Sequence, residues 1–398
     1  MQNKQESSLT WLFGAALLAL LLMPGAAAWA QQGQVIYSFT SGGPQTGVTV
    51  DSAGNTFGTL GPYVYELSQS GGNWSESILD TFTSLQDAEG IPLMDAAGNL
   101  YATTIGGIGT NGSVFQLTPS GGLWTETTLY SFPADGSKGI SPYGDLVRDS
   151  AGNFYGTTVY GGRYGNTSNG GTAWKLSTQA GGGWSFKVLH HFGNGNDGQL
   201  PYAGMVLDAA GNLYGTTMGG GSFGYGTAFE LIPQTDGTWK EKILHNFASG
   251  FDGQGPRAKL TLDAAGNLYG TTNTGGRYST GTAFELMPQS DGTWKEKFLH
   301  HFGNFSDGSY LYSNLVFDSA GNLYGTTFFG GKYSGGTLFE LIPQADGGWS
   351  EKILHNFGNG TDGNGPLGDV TFDTSGQLFG TTIAGGANQE GTIWKVKF

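Results

Sequence analysis

Short runs of alternating apolar and polar residues, separated by glycine-rich stretches, fill this chain from about residue 34 onward. The stretch 205–247 shows the pattern once in full. Met205-Val206-Leu207-Asp208 reads as a first strand. Ala209-Ala210-Gly211-Asn212 reads as a turn in which glycine takes positive φ and the Asp and Asn side chains bond local backbone. Residues 213–217 make a second strand, and a glycine-rich loop leads to a third over 226–232. Asp236-Gly237 is a tight-hairpin signal before a fourth strand over 239–247. Period-2 alternation puts Trp239, Ile243 and Phe247 on one face of that strand and Lys240 and Lys242 on the other. No segment beyond the first thirty residues has a helical period.

The unit recurs. The step Asp-x-x-Gly-Asn-x-Tyr-Gly-Thr-Thr, with small departures, has its first glycine at Gly54, Gly98, Gly152, Gly211, Gly266, Gly321 and Gly376, about fifty-five residues apart in the later copies. Such a period signals a solenoid, a propeller or an array. The chain ends choose among these. The seventh repeat stops after its third strand, at residues 391–398. Ahead of the first repeat, Gln34-Val35-Ile36-Tyr37-Ser38-Phe39 has the pattern of an orphan fourth strand. Together they predict an all-β, seven-bladed β-propeller of four-stranded antiparallel blades, closed by pairing of the N-terminal strand in the last blade. Trp74, Trp124, Trp184, Trp239, Trp294 and Trp349 recur at the start of the fourth strand, so partial burial is expected for all six.

Residues 1–30 read as a secretory signal peptide: Lys4, an apolar run from Trp11 to Met23, and Ala28-Trp29-Ala30 as a cleavage site. That leaves 31–398 as one domain, exported to the periplasm, the cell surface or the medium. With no second long apolar run, the mature chain is not expected to span a membrane. There is no cysteine, hence no lipoprotein anchor and no disulfide framework. A net charge of −14 excludes non-specific nucleic-acid binding, which needs a basic surface. Only 12% of residues are charged and 73 are glycine, yet aromatics reach 13% at fixed positions, which is not a disordered composition.

The step Val206-Leu207-Asp208-Ala209-Ala210-Gly211-Asn212-Leu213-Tyr214 resembles the blade motif of NHL and gluconolactonase-like propellers. The whole unit is closer to the GloVer ("choice-of-anchor") tandem repeat, through Gly-Asn-Leu-Tyr-Gly-Thr-Thr, a Gly-Gly loop, Gly-Thr-x-Phe-x-Leu and a strand ending Leu-His-x-Phe. That resemblance implies an exported bacterial protein and assigns no activity.

Candidate chemistry sits in three places. All six histidines lie in the fourth strand, and His190, His245, His300 and His355 share one column with Tyr37, Asp80 and Tyr130. Spread one per blade, they are expected to hydrogen-bond within or between blades. Asp197, Asp252, Asp307 and Asp362 form a second column, in the loops joining one blade to the next. Oxygen-rich loops suit Ca²⁺, so these are its candidate ligands, against an alternative of plain Asx turns. Ca²⁺ is the only cofactor suggested.

The loops between second and third strands carry Tyr160, Arg163, Tyr164, Phe223, Tyr225, Arg277, Tyr278, Phe328, Phe329, Lys332 and Tyr333, the candidate ligand-binding residues. They are expected to share one face of the disc with the Asp-Gly loops, and aromatic rings beside hydrogen-bonding groups suit sugars or peptides. The Thr-Thr pairs recur in nearly every blade and read as fold residues. Glu89, Arg148, Arg257 and Glu390 break the repeat without an evident partner. The leading expectation is a monomeric binding module for extracellular glycan or envelope protein. The alternatives are a hydrolase or lyase acting on carbohydrate or lactone, and a purely structural surface protein.

Overall fold

The computed structural model describes residues 33–82, 86–106, 110–304 and 306–398, so the expected leader peptide lies outside the described residues. Seven four-stranded antiparallel sheets follow one another along the chain. In blade 4 the strands are Val206–Leu207, Leu213–Thr217, Thr227–Pro233 and Trp239–Asn246, paired in that order. Among the described residues there is no helix, and therefore none long and apolar enough to cross a membrane.

The ends close the ring. Gln34–Ser38 pairs antiparallel with Thr392–Lys397, completing the sheet that holds Thr371–Phe372 and Gln377–Thr382. Phe39 N–H then donates to the Gly391 carbonyl at 3.0 Å, and the Phe39 ring is buried.

Each turn between first and second strands is knotted by its aspartate. In blade 4 Asp208 Oδ1 accepts the N–H groups of Ala210 and Asn212, both at 2.8 Å, while Oδ2 accepts Asn212 Nδ2 at 2.9 Å and the Tyr214 hydroxyl at 3.1 Å. Gly211 sits at φ 89°, which a side chain would resist. The Thr-Thr pairs are fold residues. Thr217 and Thr227 share a hydroxyl bond at 2.9 Å inside the blade. Their neighbours reach across seams: Thr157 Oγ1 donates to the Ala203 carbonyl at 2.9 Å, and Thr381 Oγ1 to the Thr46 carbonyl at 2.8 Å across the closure.

The apolar core is divided among the seams between blades. One cluster joins Tyr155, Ala173, Leu189 and Phe192 of blade 3 to Met205, Leu213, Phe229 and Leu231 of blade 4, and six equivalent clusters complete the ring. Within the blade, glycine in the second strand makes room for the ring of its cross-strand partner: a Cβ on Gly215 would lie 2.6 Å from Phe229 Cζ. All six fourth-strand tryptophans are half-buried, as their recurrence requires.

One expectation fails. Trp239, Ile243 and Phe247 do not share a face. Ile243 pairs with Phe229 but His245 with Ala228, so a β-bulge at Leu244 shifts the register. Trp239 and Ile243 pack on the seam with blade 3, whereas Leu244 and Phe247 pack on the seam with blade 5. The bulge lets one strand supply apolar groups to both neighbours.

Removing residues 34–39 takes away the fourth strand of the last blade and bares two seams. The expected result is a fall in melting temperature on the order of 10 °C or more, with concentration-dependent association. Leu123→Ser, at an exposed hairpin tip, is expected to shift melting by no more than about 1 °C. Scanning calorimetry with light scattering checks both; unchanged melting of the deletion would mean that the ends do not hold the ring.

Candidate functional site

Loops entering each blade and loops joining its second and third strands meet on one face of the disc. Three two-residue ladders fasten them together: Gly198–Gln199 with Gly219–Gly220, Gly253–Gln254 with Thr274–Gly275, and Gly363–Asn364 with Ala384–Gly385. This face leads into a central cavity of about 300 Å³.

The cavity wall is made where the chain approaches each first strand. Register with the second strand aligns the seven copies. The position two residues before the first-strand pair common to all seven blades is occupied, in blade order, by Gly47, Ile91 (inside the longer first strand Gln86–Met94 of blade 2), Asp145, Gly204, Lys259, Asn314 and Asp369. Two residues earlier, nearer the loop face, stand Gln45, Glu89, Tyr143, Tyr202, Arg257, Tyr312 and Leu367. Small residues such as Gly144, Ala203, Ala258 and Gly368 separate the two rings and keep the bore open. Where the blades elsewhere repeat nearly the same residue, these two rings change identity from blade to blade.

The upper ring is aromatic and cationic. Arg257 lies over the Tyr202 ring at 4.2 Å and over Tyr312 at 5.3 Å, a cation held between two π faces. Tyr202 meets Tyr143 edge-on at 5.7 Å, and its hydroxyl is 3.0 Å from that of Tyr160. Phe328 packs edge-on against Tyr312 at 5.4 Å. Burial, then the Tyr160 hydroxyl, pushes the Tyr202 phenol up to about 12; burial and the charge of Glu89 do the same to Tyr143. Both are neutral donors at physiological pH. Glu89 is itself buried and pushed up to about 8 by burial and by Asp87.

The lower ring is ionic. Asp145 Oδ1 accepts the Ile91 N–H at 2.7 Å, and Asp369 Oδ1 accepts the Asn314 N–H at 2.6 Å, so each carboxylate also ties its blade to the previous one. Burial and the nearby Asp145 carboxylate raise Asp369 to about 7, against the lowering pull of the Asn314 N–H and of Lys259. Hydrogen-bonding aromatics above, and two carboxylates and an ammonium below, can grip a polar ligand that also offers an apolar face.

Of the residues expected from the sequence, Phe328 lines this cavity and Tyr160 reaches it through Tyr202. The others stand in the outer loops. Arg163 and Tyr164 line a second cavity of about 290 Å³ with His190, Asp197 and Glu241. Arg163 N–H and Arg277 N–H donate to Nδ1 of His191 and His301. Phe223, Tyr225, Tyr278, Phe329 and Tyr333 are exposed, and Lys332 caps the Tyr333 ring at 5.1 Å. Tyr143, Asp145, Tyr202, Lys259, Tyr312 and Asp369 were not anticipated. Their signal was present as variation in two columns that the repeat otherwise leaves in a loop. Arg257, a departure from the repeat without an evident partner in the sequence, finds its partners in Tyr202 and Tyr312.

The histidine column hydrogen-bonds to the aspartate column, as expected, and three of the four imidazoles lie 3.6 Å from a glutamate of the next blade. His190, His245, His300 and His355 Nε2 meet Oδ2 of Asp197, Asp252, Asp307 and Asp362 at 2.9, 3.3, 3.0 and 2.7 Å. The four aspartates suggested for Ca²⁺ thus each face an imidazole. Arg148 pairs with Asp95 at 3.7 Å and covers the rings of Tyr101 and Phe154; Glu390 accepts the Gly42 N–H at 2.9 Å.

Fold and site together define a β-propeller repeat protein whose non-repeating residues line the channel. The Gloeobacter/Verrucomicrobia repeat model matches residues 163–394, and the chain belongs to that family. Among curated proteins no sequence matches it. It is similar in structure to the extracellular domain of a hybrid two-component system from B. thetaiotaomicron (TM-score 0.60, 14% identity), covering 92% of this chain and 40% of that one. A protein from Lactobacillus plantarum superposes with TM-score 0.54 at 15% identity over 81% of this chain and 87% of its own. A protein assigned to the gluconolactonases does so at 0.42 and 14% identity, over 78% and 88%, too loosely to carry an argument. At these identities the likeness is one of fold.

Asp369 makes stability depend on pH. Its folded-state pKa, near 7, lies above the unfolded value of about 4, so folding takes up a proton between them and stability falls as pH rises through that window. Asp369→Asn keeps an acceptor for Asn314 and removes the charge. Its stability relative to the parent is expected to improve by about 1–3 kcal/mol between pH 4 and pH 8. Urea unfolding across that range checks it; a difference independent of pH would contradict the assignment.

Proposed function

We propose that this propeller is an exported saccharide-binding module and that the central cavity is its binding seat. The observation that carries the reading is the convergence of Tyr143, Tyr202, Arg257, Tyr312 and Phe328 above Asp145, Lys259 and Asp369, at positions where the repeat stops repeating. Aromatic faces pack against the C–H face of a pyranose, and ionic groups bond its hydroxyls, which is the usual division of labour in a small-molecule site. A cavity of about 300 Å³ suits one or two sugar rings. The expectation of export agrees with the extracellular setting of the B. thetaiotaomicron neighbour.

A second reading rests on Asp369. A carboxyl raised to about 7 beside another carboxylate fits a general acid, as in a hydrolase or lyase acting on carbohydrate or lactone. In that case Asp369→Asn abolishes turnover of the bound saccharide while leaving binding within about threefold.

The test begins with a glycan array on the purified protein, followed by calorimetric titration of the best ligand. Tyr202→Ala and Arg257→Ala are each expected to weaken binding about tenfold or more, roughly 1.4 kcal/mol. Tyr278→Ala, on an exposed outer loop, is expected to leave it unchanged. Loss of binding in Tyr278→Ala with retention in Tyr202→Ala would move the seat to the outer loops, and no glycan bound at all would defeat the proposal.

A further inference from the structure

Three successive seams on the outer rim repeat one constellation. His190 and Asp197 of blade 3 meet Glu241 of blade 4; His245 and Asp252 meet Glu296; His300 and Asp307 meet Glu351. We propose that these three sets bind zinc-type divalent ions, each bridging two blades.

The geometry is that of a preformed ligand set. The imidazole Nε2 lies 2.9, 3.3 and 3.0 Å from the aspartate oxygen and 3.6 Å from the glutamate oxygen in every copy. Ligands at 2.0–2.1 Å around a tetrahedral zinc stand about 3.3 Å apart. One imidazole and two carboxylates match zinc or a neighbouring transition ion better than Ca²⁺, which takes six to eight oxygens.

The second observation is a set of unanswered oxygens. Glu241 Oε1, Glu296 Oε1 and Glu351 Oε1 are buried with no hydrogen-bond partner, and so is Asp197 Oδ1, in a residue only 8% exposed. A buried acceptor without a donor is costly, and the same defect recurs in all three copies. A cation held between the carboxylates answers it. The first set also opens into the cavity of about 290 Å³ lined by Arg163 and Tyr164, which leaves room for a water or a further ligand on the ion.

The remaining seams show what else this position can hold. Tyr37 donates to Glu76 at 3.0 Å, and Tyr130 stacks flat on Phe186 at 3.9 Å. His355 and Asp362 keep their bond, but the pairing of Gln34 with Lys395 places Gly33 where the glutamate should stand. A Cβ added to Gly33 would sit 3.5 Å from the His355 ring, an ordinary contact. The fourth set therefore lacks only its last ligand.

The test is calorimetric titration of the chelator-stripped protein with Zn²⁺, and with Ca²⁺ for comparison. About three equivalents of Zn²⁺ are expected, with Ca²⁺ at least tenfold weaker. Glu241→Gln, Glu296→Gln and Glu351→Gln are each expected to remove about one equivalent, and Gly33→Glu to add one. Fewer than one equivalent in the parent, or a stoichiometry unmoved by all four substitutions, would overturn the proposal. The gain in Gly33→Glu keeps the test decisive if a glutamine variant fails to fold.

Discussion

Everything in this molecule depends on packing between neighbouring sheets. No blade has a core of its own; the apolar residues are shared out among seven seams, each built from two blades. Within a blade, glycine in the second strand leaves room for the ring of its cross-strand partner, as at Gly215 beneath Phe229, and that ring then packs into the seam. The bulge at Leu244 then lets the outermost strand face both neighbours. Because every blade needs two partners, the ring must close, and the N-terminal strand beside residues 392–397 is how it does so.

The same constraint explains where chemistry is allowed to vary. A residue at a seam serves all seven copies of one geometry, so Phe, Leu, Thr and Gly recur there. Near the axis the blades point at a common space instead of at each other. Gly47, Ile91, Asp145, Gly204, Lys259, Asn314 and Asp369 can differ because the wall needs no repeated shape. The outer rim is intermediate: His–Asp–Glu recurs three times, while tyrosine, phenylalanine or glycine replaces members elsewhere.

Most of the ring was legible in the sequence. The glycine column counts the blades, the Asp-x-x-Gly-Asn step locates the turns, and the orphan strand at 34–39 announces the closure. These are local signals repeated seven times, so each copy supports the others. The fourth-strand bulge was not legible, because strict alternation through Ile243 and Phe247 looks equally good on paper and only pairing with Ala228 and Phe229 shows the slip. The channel was harder still. Asp145, Lys259 and Asp369 are more than a hundred residues apart in sequence and lie in segments that read as loop. Exposed aromatics such as Tyr278 and Tyr333 stand out in the sequence because they flank Gly-Gly steps, whereas Tyr202 and Tyr312 adjoin no such marker.

A crystal structure of the protein with a bound oligosaccharide tests the proposed seat on the axis. Electron density for a sugar ring is expected inside the channel, against Tyr202 and Tyr312 and within hydrogen-bond reach of Arg257. A ligand seated on the outer loops around Tyr164, Tyr278 or Tyr333, with the channel holding only water, would contradict it.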